Sequence, residues 1–169
     1  MPDFFKYCPN CKSTKISKSA DKNFHCPDCL FVYYHNVAAA CALFIEFEDK
    51  ILFTVRKFDP AKNKLDLPGG FVDYNESVES ALKREIKEEL NLEINRADFI
   101  ASFPNQYIFK DINYHTLDLI FRTQLNSMEG IRVNDDVKDY CLLKRNEIDI
   151  DEIGLDSVKK AVSLYLNKY

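Results

Sequence analysis

The chain has 169 residues, of which 46% are hydrophobic and 30% charged, and its formal net charge is −4. That length holds one full domain with at most a small appendage, and the composition excludes both wholesale disorder and a multi-domain machine. No long basic run appears, so binding to nucleic acid or to an anionic membrane is disfavoured and a small-molecule partner is expected, with a homodimer left open.

The start, Met1-Pro2-Asp3-Phe4-Phe5-Lys6, lacks the basic and apolar regions of a signal peptide, and no apolar stretch approaches the ~18 residues of a membrane span. A cytoplasmic setting with no membrane partner is the expectation. Residues 1–35 carry two pairs, Cys8-Pro9-Asn10-Cys11 and Cys26-Pro27-Asp28-Cys29, with fourteen residues between them and little aliphatic character around them. Such a lobe cannot build a core unaided and needs a staple. Each two-residue gap lets both thiolates reach one ion, and four thiolates match the tetrahedral shell of a structural Zn²⁺ better than a redox dithiol. The arrangement resembles a zinc ribbon. His25 adjoins a knuckle and is read as a surface neighbour, because four cysteines already fill the shell. Cys41 and Cys141 sit in apolar segments and are read as buried, inert thiols.

Val37 to Phe47 is an apolar run interrupted only by Glu46, Glu48-Asp49-Lys50 a turn and Ile51 to Val55 a second run, together predicting a hairpin of core strands. A loop from Arg56 to Leu65 leads to Leu67-Pro68-Gly69-Gly70-Phe71. Only four glycines occur in the chain, so an adjacent pair points to special backbone geometry or close ligand approach. Periodicity predicts a helix from about Ser77 to Leu90, with Asn75 or Ser77 as N-cap and Asn91 in the left-handed position that closes it. Strands are predicted at Phe99–Phe103, Gln106–Phe109, Thr116–Gln124 and Val137–Leu143. A last helix, roughly Asp156 to Leu166, puts Val158, Ala161, Val162, Tyr165 and Leu166 on one face.

In the first helix Val78, Ala81, Leu82, Ile86 and Leu90 form the apolar stripe. Glu85 and Glu89 fall inside it, four residues apart. Like charges at that spacing repel, and carboxylates withdrawn from water need something positive beside them. A solvated acidic helix accounts for Glu79 with Lys83 and Arg84 with Glu88, but not for Glu85 and Glu89. Hard oxygen ligands beside a glycine backbone suit Mg²⁺ or Mn²⁺.

Gly70, five residues, Glu76, seven residues, then Arg84-Glu85-Ile86-Lys87-Glu88-Glu89-Leu90-Asn91-Leu92 resembles the 23-residue Nudix box, G-x5-E-x7-R-E-U-x-E-E-x-G-U with U aliphatic. Every defined position matches except Asn91, where the family has glycine, and asparagine is the next-best residue for positive φ. The resemblance implies an α/β class, the Nudix α/β/α sandwich with a mixed β-sheet, over residues 36–169 behind a zinc ribbon at 1–35. It also implies Glu85, Glu88 and Glu89 as metal ligands, the carbonyl of Gly69 completing that site, and Glu76 and Arg84 orienting loop and helix. A further carboxylate from a later loop is open among Glu129, Asp135 and Asp136.

The family reaction is hydrolysis of a nucleoside diphosphate linked to another group, by water attack on the pyrophosphate. A ribbon directly before the domain resembles the NADH pyrophosphatase branch, which carries Ser-Gln-Pro-Trp-Pro-Phe-Pro after the box. Here the nearest counterpart is Ser102-Phe103-Pro104-Asn105-Gln106-Tyr107 and the chain has no tryptophan, so the ribbon speaks for architecture and not for substrate. ADP-ribose, another ADP-sugar and NAD(H) stand side by side. Phe103, Tyr107 and Phe109 are candidates to stack on a base or to be core aromatics. Arg56 is a candidate phosphate contact or a solvated strand end. The competing readings are a nucleoside triphosphate pyrophosphohydrolase and a non-catalytic binding module in which the ribbon meets nucleic acid or protein.

Overall fold

A computed structural model describes residues 5–19, 23–110, 112–134 and 136–169, with the side chain of Phe109 left undescribed; Asp135 and the Phe109 ring, both sequence candidates, lie outside what is described. The order is β1 (Ser17–Ser19), β2 (Asn23–His25), β3 (Val32–Tyr34), β4 (Ala38–Phe47), β5 (Lys50–Arg56), β6 (Leu65–Asp66), β7 (Gly69–Phe71), α1 (Val78–Leu90), β8 (Asp98–Phe109), β9 (Ile112–Leu125), β10 (Val137–Lys144) and α2 (Asp156–Lys168).

Strands β1, β2 and β3 form a small antiparallel sheet. Its two cysteine knuckles are built alike: Lys12 and Leu30 donate their N–H groups to the carbonyls of Cys8 and Cys26, both at 2.8 Å, and both residues take left-handed φ. Phe24 is fully buried, with the rings of Phe5, Tyr33 and Phe31 at 5.2, 5.5 and 6.0 Å. That aromatic knot and the cysteines are the interior of this lobe.

The second sheet has seven strands in the order β10-β5-β4-β9-β8, with β6 on β5 and β7 on β4. Strands β4 and β9 run parallel, from Ala38 opposite Thr116 to Phe47 opposite Leu125, against antiparallel neighbours, so the sheet is mixed. Its central strand β4 is buried on both faces. Cys41, Leu43 and Ile45 join Ala81, Leu82, Ile86 and Leu90 of α1 on one side, while Ala42 and Phe44 join Val158, Ala161, Val162 and Tyr165 of α2 on the other. A strand covered on both sides reads as a near-continuous apolar run, which is why Val37 to Phe47 shows no alternation. The α/β/α sandwich is therefore present, and each helix presents the face its periodicity predicts.

Two expectations are corrected. Phe99–Phe103 and Gln106–Phe109 are one strand, β8, because it is an edge strand, where Pro104 takes a register position opposite Leu117. The β4–β5 hairpin pairs only from Ile45 to Phe47 and then opens: farther along, β4 pairs with β7 and β5 with β6. Between the parted strands lies a cavity of about 530 Å³. Among the described residues no helix is long and apolar enough to cross a membrane.

Candidate functional site

Helix α1 begins at Ser77, whose side chain accepts the N–H of Ser80 at 3.2 Å, while the alternative cap, Asn75, has left-handed φ. The helix ends at Asn91 with φ 54°, donating its N–H to the carbonyl of Lys87. Asn91 also donates its side-chain amide to the Gly130 carbonyl at 2.9 Å, an anchor that glycine could not supply. Between these ends Glu89 is buried, and the Glu85 side chain is only 13% exposed.

The two glycines explain where those carboxylates go. The N–H of Gly69 donates to Glu89 at 3.0 Å. A Cβ on Gly70 would stand 2.5 Å from the Glu85 carboxylate, and one on Gly69 would stand 2.1 Å from the Cys41 carbonyl. Both acids thus lie against the Gly69–Gly70 backbone, the close approach that the paired glycines announce.

Arg84 organises the remaining charge. Its Nε and Nη2 donate to the two oxygens of Glu76 at 3.0 and 2.9 Å, Nη1 to Glu85 at 2.8 Å and to Glu88 at 3.1 Å, and Nη2 to the Phe71 carbonyl at 3.0 Å. Glu76 in turn accepts the Asp73 N–H. The hydrogen bonds from Arg84 hold the Glu76 carboxyl below its ordinary range, and those carboxylates hold the guanidinium firmly charged. Cys41, beside this network, is buried, and burial pushes its thiol up to about 11, as befits an inert core thiol.

Glu85 and Glu89 are the two carboxylates of α1 that lie together against the glycine backbone, and a divalent ion there would find two carboxylate ligands with open positions. Among the described residues, the only group of three or more acidic, cysteine or histidine residues whose ligand atoms all lie within 4.8 Å of one another is Cys8, Cys11, Cys26 and Cys29. The acids of α1 are therefore not a closed cage, and Mg²⁺ characteristically takes one or two carboxylates and leaves the rest to water and substrate phosphate. The cysteine group is a different case. Cys8 and Cys29 sulfurs are 3.7 Å apart and those of Cys11 and Cys26 3.6 Å, close to the roughly 3.8 Å edge of a tetrahedron with 2.3 Å Zn–S bonds. His25 stands outside that group.

The cavity is walled by Gly69, Gly70 and Glu89, by Arg56 and Asp66, and by Asn105, Tyr107, Thr116, Asp118 and Asp136, with Phe58 and Phe71 among its apolar lining. Arg56 is no solvated strand end: Nε donates to the Pro60 carbonyl at 2.7 Å and Nη1 to Asp66 at 2.6 Å. Burial pushes the Asp66 carboxyl up, and Arg56 only partly offsets it. Tyr107 is in the wall, its ring edge-on to Phe71 at 5.8 Å. Phe103 is not, and packs instead against the core under α2. Of the later acids, Asp136 is in the wall while Glu129 is exposed on the loop beyond it. Sequence reasoning passed over Asp66, Asn105, Thr116 and Asp118. The signal was there for Thr116 and Asp118, polar residues on the inward parity of a strand whose next inward residue, Ile120, is core.

The chain is similar to known proteins in both sequence and fold. The family model for the NUDIX domain matches residues 35–162. The chain is 34% identical over 119 residues to an ADP-ribose pyrophosphatase from Methanocaldococcus jannaschii, covering 69% of this chain and 67% of that protein. It is 25% identical over 144 residues to an NAD-capped RNA hydrolase NudC from Pseudomonas aeruginosa, covering 79% of this chain but 46% of that protein, so it spans under half of that relative. In fold it is similar to a NUDIX hydrolase crystal structure from Nitrosomonas europaea, with a TM-score of 0.72, 21% identity and coverage of 96% of this chain and 90% of the other.

Proposed function

The chain belongs to the NUDIX family, and from that premise we propose that it is a pyrophosphohydrolase splitting a nucleoside diphosphate linked to another moiety, of the ADP-ribose, ADP-sugar or NAD(H) type. The observation that carries the reading is the meeting of Glu85 and Glu89 with the Gly69–Gly70 backbone, where Gly69, Gly70 and Glu89 wall a nucleotide-sized cavity.

Glu85 and Glu89 would hold Mg²⁺ or Mn²⁺, with Glu88 and the Gly69 carbonyl as auxiliary ligands. When bound, such an ion offsets charge on the pyrophosphate and acidifies the attacking water. The chain's own residues do the rest. Arg84, gripped by Glu76, offsets the mutual repulsion of the glutamates and fixes the loop carrying Phe71 to the helix. Among the described later acids Asp136 lines the cavity, and it would take the proton of the attacking water. Arg56, anchored on Asp66 and set beside Tyr107 in the cavity wall, is the cation placed to meet a phosphate oxygen, and Tyr107 with Phe71 gives an aromatic wall for a base. The division into residues 1–35 and 36–169, structural Zn²⁺ in the first part, and a cytoplasmic setting belong to the same proposal. The sulfur spacing and the buried Phe24 knot support the ribbon as a metal-stapled lobe.

The test is hydrolysis of ADP-ribose, ADP-sugars, NADH, capped dinucleotides and nucleoside triphosphates with Mg²⁺ or Mn²⁺, with products separated chromatographically. AMP is expected from the adenosine diphosphate derivatives. Consumption of triphosphates alone would shift the reading to a triphosphate pyrophosphohydrolase, and salt-sensitive RNA binding without hydrolysis to a binding module.

A further inference from the structure

In the β8–β9 ladder Asn105 stands opposite Thr116 and Phe103 opposite Asp118. Tyr107, Asn105 and Phe103 therefore share a face with Thr116, Asp118 and Ile120. At one end that face is core, with Phe103 and Ile120 under α2; at the other it is the cavity wall. Ala40, opposite Asp118 on β4, keeps the wall low and makes room for a ligand.

The polar groups on this face differ in how they are satisfied. Thr116 donates to one oxygen of Asp118 at 2.6 Å and Ser157 to the other at 2.5 Å. Asn105 is only 8% exposed, yet its side-chain amide makes no hydrogen bond to any described residue. Its amide is left open to the cavity that it borders, where a ligand can satisfy both its donor and its acceptor.

We propose that Asn105 is a specificity-determining residue that reads the base of the nucleotide, an inference that rests on the pyrophosphohydrolase reading above. Its amide oxygen accepts from the exocyclic N6 amino group and its amide nitrogen donates to N7, the complementary pairing of asparagine with adenine, whereas a 6-oxo purine offers two acceptors on that edge and leaves the amide oxygen facing a carbonyl. Asp118, whose oxygens keep lone pairs after accepting from Thr116 and Ser157, makes the same wall acceptor-rich. That wall favours an amino group over a carbonyl, and so adenine over its 6-oxo counterpart.

The experiment compares matched adenosine, inosine and guanosine diphosphate sugars on the full chain, and measures AMP and IMP binding by calorimetry. The wild type should favour the adenosine substrate over the inosine one by on the order of 10- to 100-fold in KM. Asn105→Asp, which keeps the volume, and Asn105→Ala should raise KM for the adenosine substrate towards the inosine value, leave kcat within a few-fold, and erase the preference for AMP over IMP. Should Asn105→Ala fail to fold, the isosteric Asn105→Asp carries the test. Equal KM for adenosine and inosine in the wild type, a preference for guanosine, or variants that keep the discrimination would overturn the proposal. If no diphosphate is hydrolysed at all, the pyrophosphohydrolase reading fails, while the AMP and IMP titrations still judge Asn105.

Discussion

The Glu85 carboxylate lies where a side chain on Gly70 would begin: a Cβ there would meet its oxygens at 2.5 and 2.8 Å. Gly69, one residue earlier, is confined differently, since its φ is +143° and its Cβ would meet the Cys41 carbonyl at 2.1 Å. The adjacent glycines therefore fail in different ways when replaced. Gly70→Ala should fold, because the end of a glutamate side chain can swing aside, but it should lose most metal-dependent activity as Glu85 is displaced. Gly69→Ala should fail to fold stably, because backbone cannot move aside. Circular dichroism melts beside hydrolysis rates separate the two, and an active, stable Gly69→Ala protein would refute the assignment.

Glu89→Gln should keep the fold, since an amide oxygen can still accept the Gly69 N–H, but lower Mg²⁺-dependent turnover by on the order of 10² or more. The control is Glu79→Gln, exposed in the first turn of α1, which should cost little. Full activity of Glu89→Gln under limiting Mg²⁺ would remove Glu89 from the metal site.

These glutamates are legible in the sequence because charge on an apolar stripe contradicts the stripe's own logic. Asp118 breaks the same rule on a strand, with Ile120 as its inward neighbour, but the signal is weaker because a period of two is carried by few residues. Asn105 is hidden by Pro104, which suggests an interruption; the parity that turns Asn105 inward emerges only once β8 is one strand opposite β9. The cavity itself is not written locally. A turn at Glu48 and Asp49 fixes pairing near the turn, whereas the parting of β4 and β5 depends on β6 and β7, strands of two and three residues whose pairing is tertiary.

The sulfur spacing of the cysteine group predicts about one zinc per purified chain by elemental analysis. Cys26→Ser should lose that zinc and loosen the lobe around Phe24, while the box keeps its metal-dependent activity within a few-fold. Protein with reduced cysteines and no zinc would contradict this.

Asn91 combines a left-handed backbone with a side-chain bond to the Gly130 carbonyl. Asn91→Ala strains the first and removes the second, and should cost about 1–2 kcal/mol, or roughly 2–8 °C in Tm. Asn91→Gly relieves the backbone but gives up the bond, so its Tm should fall between those of the wild type and alanine proteins. An alanine variant as stable as the wild type would show that the cap carries no load.

The Arg84–Glu76 pair gives a pH dependence with a definite sign. Hydrogen bonds from Arg84 hold the folded carboxyl of Glu76 below its ordinary value of 4.5, so as pH falls the unfolded chain takes up this proton before the folded one does. The pair's contribution is complete above that ordinary value and is lost as pH drops through the lowered folded value. Glu76→Gln should therefore melt below the wild type at pH 7, and the gap should narrow as pH falls from about 5 towards 3. Thermal melts of both proteins across that range check it. A gap that stayed constant would mean that the charge on Glu76 contributes nothing, and that the Arg84 fork is held in place by Glu85, Glu88, the Phe71 carbonyl and the Asp73 carboxylate.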